Sequence, residues 1–271
     1  MNTGTPVRNR ARFVALAGLV VASSLGASIA AAAQSTRPPS EELQVPETRP
    51  KPASIAPVPR SDWSKERQTE VMRRVTEAKQ PVPVVFIGDS ITQGWEGEGA
   101  EVWQERIAPL GAVNLGVSGD RTQHVLWRLQ QAPLTALEPR VVVIMIGTNN
   151  SGGETPPLEI VQGVRAVVST VLEQCPRTTV LLLDIFPRGE HFNEQRGRLA
   201  QINQTLSRTD AFGTNGARVK WLPIGADFLE LDGTISKAVM PDQLHLSAEG
   251  YARWERAIRT EVARLAKAPA A

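Results

Sequence analysis

The chain has 271 residues, 41% hydrophobic and 21% charged, a balance that excludes a wholly disordered polymer. Its formal charge is +2, but Arg8, Arg10 and Arg12 are the only charges before Gln34 and the remainder carries −1, which argues against a nucleic-acid partner recruited by bulk charge. Cys175 is the sole cysteine, so an intrachain disulfide framework and a multi-cysteine zinc site are excluded.

Three arginines lead into mostly apolar residues 13–33, with small side chains at Ala31 and Ala33. This pattern predicts a signal peptide over residues 1–33, cleaved before Gln34, and hence a periplasmic or secreted protein. Ser23, Ser24, Gly26 and Ser28 weaken the run as a membrane span. No stable membrane insertion is expected once it is removed; retention as an anchor is the alternative. Residues 34–60 hold seven of the 20 prolines among polar and charged side chains, which predicts an extended Pro-rich linker. The folded domain is expected over residues 61–271.

Within that domain, helical spacing of Val71, Met72 and Val75 predicts a helix over residues 63–79, with Ser61 or Asp62 as its N-cap. A strand follows at 83–87 (PVVFI), then others at 113–117, 141–146 (VVVIMI), 179–185 and 218–222. Continuous apolar runs of this kind suit strands covered on both faces, as in a parallel sheet. Between them, Val161, Val164, Val167, Val168, Val171 and Leu172 form one helical stripe, and Trp254, Ile258, Val262 and Leu265 form another. Alternating elements of this length define an α/β domain of three layers.

In such a sheet, ligands bind beyond the carboxyl ends of the strands. The first strand is followed by Gly88-Asp89-Ser90-Ile91, the second by Ser118-Gly119-Asp120, and the third by Gly147-Thr148-Asn149-Asn150. Asp242-Gln243-Leu244-His245 precedes the last helix. Each block has a bland reading: a tight turn for Gly-Asp-Ser, a left-handed backbone for Gly119, a helix cap for Asn149, a surface turn for Asp242 and His245. Their order along one edge is what singles them out.

Together these four blocks resemble the SGNH (GDSL-type) hydrolases. Residues 114–129 (NLGVSGDRTQHVLWRL) and 186–190 (FPRGE) are similar to the platelet-activating factor acetylhydrolase catalytic-subunit branch. The resemblance implies a flavodoxin-like sandwich of about five parallel strands with helices on both faces. It implies a serine esterase in which Ser90 is the nucleophile, Asp242 and His245 its acid and base, and Ser90, Gly119 and Asn149 the oxyanion hole. Acetyl-type esters on small-molecule, glycan or lipid alcohols are the implied substrates, and a homodimer is a further implication. Ser118 departs from the branch, which has glycine there, and its side chain would reshape the acyl pocket.

The residue chemistry agrees. A serine hydroxyl needs a base at neutral pH, imidazole titrates near that pH, and a carboxylate three residues earlier can fix the imidazole tautomer. No cofactor or metal is required. Two other readings stay open: a phosphoesterase with Asp89, Asp242 and His245 as metal ligands, and a non-catalytic binding module for an acylated glycan or lipid. Asp89 is expected to order the turn around Ser90, and Asp120 and Arg121 to pair locally at a helix start. His124 reads as structural, His191 as a loop residue near the cleft, Trp95 and Trp103 as core or rim, and Cys175 as an inert thiol. The Gly-x-Ser-x-Gly elbow of α/β-hydrolases is absent.

Overall fold

The β-branched and aliphatic runs pair as five strands: β1 (Val84–Gly88), β2 (Ala112–Asn114), β3 (Val141–Met145), β4 (Thr179–Leu183) and β5 (Val219–Leu222). This computed structural model describes residues 51–79 and 81–267. All pairings are parallel, in the order β2-β1-β3-β4-β5, with Val84 opposite both Ala112 and Val141. Every residue of β1 and β3 is buried, as their unbroken apolar runs require.

The helices are α1 (Lys65–Thr76), α2 (Ser90–Gln93), α3 (Ala100–Val102), α4 (Thr122–Gln131), α5 (Thr148–Ser151), α6 (Pro157–Gln174), α7 (Glu194–Leu206) and α8 (Ala248–Lys267). Strand side chains alternate between the two faces. Val85, Ile87, Val142 and Ile144 pack with α1, α4, α6 and α7 in a core whose buried side chains are all non-aromatic. Val84, Phe86, Val143 and Met145 face the other way, against α8 and the segment around Trp95 and Trp103. There Trp95, Trp103, Tyr251, Trp254, Phe186 and Phe228 cluster, with Trp95 and Trp254 ring centroids 5.0 Å apart. On this face large rings fill the space beneath α8 and the loop segments beside it.

The chain runs from β1 outward to β2 and then crosses back over β1 to β3. The loops leaving β1 and β3 therefore part in opposite directions and open a crevice at the carboxyl edge.

Three expectations change. The second strand stops at Asn114 because the Asn114 side chain takes the Gly116 N–H (2.8 Å) and donates to the Thr92 carbonyl (2.9 Å), although Leu115 and Val117 still donate to Phe86 and Gly88. The N-cap of α1 is Ser64; Asp62 instead accepts the Ser64 N–H and the Arg60 guanidinium. The signal-peptide stretch and residues 34–50 lie outside the described residues, but residues 51–60 do not form an extended linker. They carry a 3-10 turn (Ala53–Ile55), Ser54 is buried with its carbonyl accepting from Thr122 Oγ1 (2.8 Å), and Arg60 is buried. Among the described residues no helix is long and apolar enough to cross a membrane.

Candidate active site

Ser90 opens α2 directly beyond β1. Gly88 is required there by its surroundings: a Cβ would lie 2.4 Å from the Met145 carbonyl on the adjacent strand. Asp89 caps α2, its Oδ1 accepting the Ile91 N–H at 3.0 Å. Its carboxyl is fully buried, and that burial lifts its pKa to about 7 against the pull of the Ile91 hydrogen bond and the His245 charge. Its second oxygen has no hydrogen-bond partner.

The loop after β2 is tied to α2, with the Ser118 N–H donating to Gln93 Oε1 at 2.8 Å. Gly119 sits in the left-handed region, with φ of 76°. Asn149, the second residue of α5, donates from Nδ2 to the Asp120 carbonyl at 2.9 Å, so it orients its amide and does not cap its helix. An amide nitrogen carries two hydrogens, so one remains for a ligand. Asn150 fixes α5 by accepting the Thr122 N–H (3.1 Å).

The turn that carries the expected acid and base is built locally. Asp242 Oδ1 accepts from the N–H groups of Leu244 (3.0 Å) and His245 (2.7 Å), while Oδ2 lies 2.6 Å from His245 Nδ1. Partial burial raises the Asp242 pKa, but the hydrogen bonds from His245 and Leu244 and the His245 charge outweigh it and hold the carboxyl below its ordinary range. Between the two, Gln243 adopts φ of 63°, a left-handed conformation costly for a side-chain-bearing residue. Its carbonyl accepts from Gly189 (2.9 Å) and its amide donates to Glu190 (3.0 Å), which hold that backbone. His245 Nε2 then stands 2.9 Å from Ser90 Oγ, across 155 positions of chain. An imidazole held between a carboxylate and a hydroxyl can take the hydroxyl proton.

One residue that braces this arrangement, Arg60, escapes a sequence reading. Arg60, from the stretch expected to be linker, donates through Nη1 to the Ser118 carbonyl (3.0 Å) and to Asp120 Oδ1 (3.2 Å). Its guanidinium lies beneath Gly119, where a Cβ would come within 2.9 Å of Nη2. Asp120 is fully buried and also pairs with Arg128. Asp120 and Arg121 are therefore not a local charge pair: Asp120 partners Arg60 and Arg128, while the Arg121 N–H donates to His124 Nδ1 (3.0 Å). No spacing rule links position 60 to position 120; only the fold does.

Of the other expected residues, His124 is structural, its pKa pushed down to about 4 by burial and by Arg60 and Arg121. His191 is exposed, 3.7 Å from Glu190. Trp95 and Trp103 lie in the core. Cys175 is buried and its thiol is pushed up to about 11, which suppresses thiolate chemistry. Asp89, Asp242 and His245 do not form a ligand set; among the described residues no three His, Cys, Asp or Glu side chains are grouped to hold a metal ion.

Sheet topology and edge chemistry together define a three-layer α/β hydrolase of the SGNH kind. The chain belongs to the GDSL-like lipase/acylhydrolase family, whose match covers residues 86–253, and it is a carboxylic ester hydrolase. Platelet-activating factor acetylhydrolase IB subunit alpha1 of Pongo abelii is 40% identical over 194 residues, 71% of this chain and 81% of that protein. The alpha2 subunit of Rattus norvegicus is 38% identical over 182 residues, 67% and 76%. Among solved structures, a GDSL-like lipase from Bacteroides thetaiotaomicron superposes with a TM-score of 0.57 at 20% identity, covering 73% of this chain and 97% of that one. An acetylxylan esterase from Geobacillus stearothermophilus gives 0.54 at 21%, covering 68% and 94%. Both share the fold.

Proposed function

We propose that this protein is an exported serine esterase that hydrolyses small-acyl, acetyl-type carboxylic esters through an acyl-Ser90 intermediate. The 2.9 Å approach of His245 Nε2 to Ser90 Oγ, with Asp242 at 2.6 Å behind the ring, carries the reading. His245 removes the Ser90 proton as Oγ bonds the carbonyl carbon, and the carbonyl electron pair moves onto oxygen. The N–H groups of Ser90 and Gly119 and the free amide hydrogen of Asn149 receive that charge. Collapse breaks the ester C–O bond, and the proton on His245 passes to the departing alcohol. Water then attacks the acyl carbon, giving up its proton to His245; collapse breaks the bond to Ser90 Oγ, which takes that proton back, and the carboxylic acid leaves.

The acetyl preference draws support from the named activities of the acetylhydrolase and acetylxylan esterase relatives. Export draws support from residues 1–33, and N-terminal sequencing of the periplasmic or secreted protein checks it: a retained leader overturns that part. The homodimer implied by the resemblance is checked by light scattering.

Hydrolysis of p-nitrophenyl acetate in EDTA tests the chemistry. Ser90→Ala should lose on the order of 10⁴–10⁶ in kcat, and retained activity would overturn the assignment. Failure of fluorophosphonate to label Ser90, with saturable ester binding, would favour a binding module. A series of p-nitrophenyl esters of increasing acyl length bounds the acyl pocket.

A further inference from the structure

Arg188 connects the two halves of the site. Its backbone is anchored to the acid–base turn, since the following residue, Gly189, donates to the Gln243 carbonyl at 2.9 Å and Asn193 Nδ2 donates to the Arg188 carbonyl at 3.3 Å. Its guanidinium reaches to α5, where Nη1 donates to Thr148 Oγ1 at 3.4 Å, one residue from Asn149. The same nitrogen would stand 3.7 Å from a Cβ placed on Gly152. The side chain thus spans the mouth between His245 and the oxyanion amide.

Among the described residues, Arg188 makes no ion pair with a carboxylate. Arg60, Arg67, Arg74 and Arg128 are all committed to carboxylates. Arg196 and Arg218, which have none, bond backbone carbonyls at 2.9 Å and 3.2 Å. Arg188 has only the long bond to Thr148; among the described residues no carboxylate lies within ion-pair distance. Asp89 and Asp242 act on it through space, yet Asp89 is sealed beneath Ser90 and Asp242 is occupied by His245. Burial lowers its pKa by more than Asp89 and Asp242 raise it, so the cost of desolvating the cation is only partly offset. A guanidinium offers five N–H donors in a planar fork matched to carboxylate and phosphate oxygens.

We propose that Arg188 anchors the substrate by binding an anionic oxygen group, a carboxylate or a phosphate, on the alcohol side of the ester. This rests on the esterase reading above. A small acyl group has no place for an anion, so the charge belongs to the leaving alcohol.

Three acetates on one phenyl ring test it: 4-acetoxybenzamide (neutral), 4-acetoxybenzoate (carboxylate) and 4-acetoxyphenyl phosphate, with their meta isomers. Comparing wild type with Arg188→Gln for each substrate cancels differences in leaving-group reactivity. The variant should lose roughly 10- to 100-fold more kcat/KM on the anionic acetates than on the amide, chiefly through KM. Arg188→Lys should recover part of that difference, and added salt should shrink it in the wild type. Loss on only one anionic arm identifies the anion and supports the proposal. Equal loss on all three substrates, or no loss, overturns it. A wild type that turns over none of them defeats the acetyl-esterase reading instead. In that case calorimetric binding of intact 4-acetoxybenzoate to Ser90→Ala, with and without Arg188→Gln, still decides the role of Arg188: unchanged affinity overturns it.

Discussion

The two halves of the proposed catalytic edge are built in opposite ways. The nucleophile half stands on buried, packed groups: Asp89, Thr92, Asp120, Thr148 and Asn150 are all sealed from solvent. The acid–base half is open, with the side chains of Asp242 and His245 55% and 45% exposed. Oxyanion donors must be fixed before the reaction begins, because their value lies in not reorganising, and only a close-packed base does that. A proton-transfer pair can instead be set by one turn, and exposure leaves it in contact with solvent protons. It follows that damage to the buried half should cost stability along with rate, whereas damage to the open half should cost rate alone.

The largest expected effect tests the open half. Asp242→Asn keeps an oxygen for the Leu244 and His245 N–H groups but presents an amide donor to His245 Nδ1, forcing the wrong tautomer. Ester hydrolysis should fall by about 10⁴ in kcat, with the urea midpoint nearly unchanged. A large loss of stability would break the contrast.

Gly119→Ala tests the buried half. A side chain at φ of 76°, driven onto Arg60, should lower kcat roughly 10²–10³-fold and stability by about 1–3 kcal/mol, read by kinetics and urea melts of one preparation. Loss of rate without loss of stability would erase the distinction.

Asp89 sharpens it through pH. Its folded pKa of about 7 lies above the ordinary carboxyl value of 3.8, so the folded state holds this proton more tightly than the unfolded chain. The stability linked to that proton is complete below about pH 4 and is lost as pH rises through 7. Asp89→Asn keeps the acceptor for the Ile91 N–H and removes the ionisation. It should therefore gain on the order of 2 kcal/mol over the wild type at pH 8 and progressively less towards pH 5, read as denaturant midpoints.

The smallest effect concerns Arg60. Lysine cannot bond the Ser118 carbonyl, Asp62 and Asp120 together, so Arg60→Lys should lower kcat about tenfold with little change in KM. Equal shifts in both would assign Arg60 to substrate binding and not to loop placement.

Much of this molecule is legible in the chain itself. Apolar runs mark β1, β3 and β4 to within a residue or two, because hydrophobic continuity is a local property of a strand buried on both faces. The contact between Asp242 and His245 is also local, since a carboxylate three residues before an imidazole closes on it within one turn. The end of β2 is not legible in this way, because an Asn side chain, whose partners lie on α2 and in its own loop, competes there with the ladder.

Sequence alone determined the strand and helix pattern, the four edge blocks and the acid–base turn, all of which depend on neighbours a few positions apart. Tertiary structure alone decided that residues 51–60 belong to the domain, that Arg60 and Arg128 converge on Asp120, and that Arg188 reaches from the turn before Gly189 to Thr148 without an ion-pair partner. Those relations join residues by way of the crossing at β1 and β3, and a side chain's partners across such a distance are set by the packing of the layers between them. A lone arginine in a proline-rich stretch carries no local mark of where it will be buried.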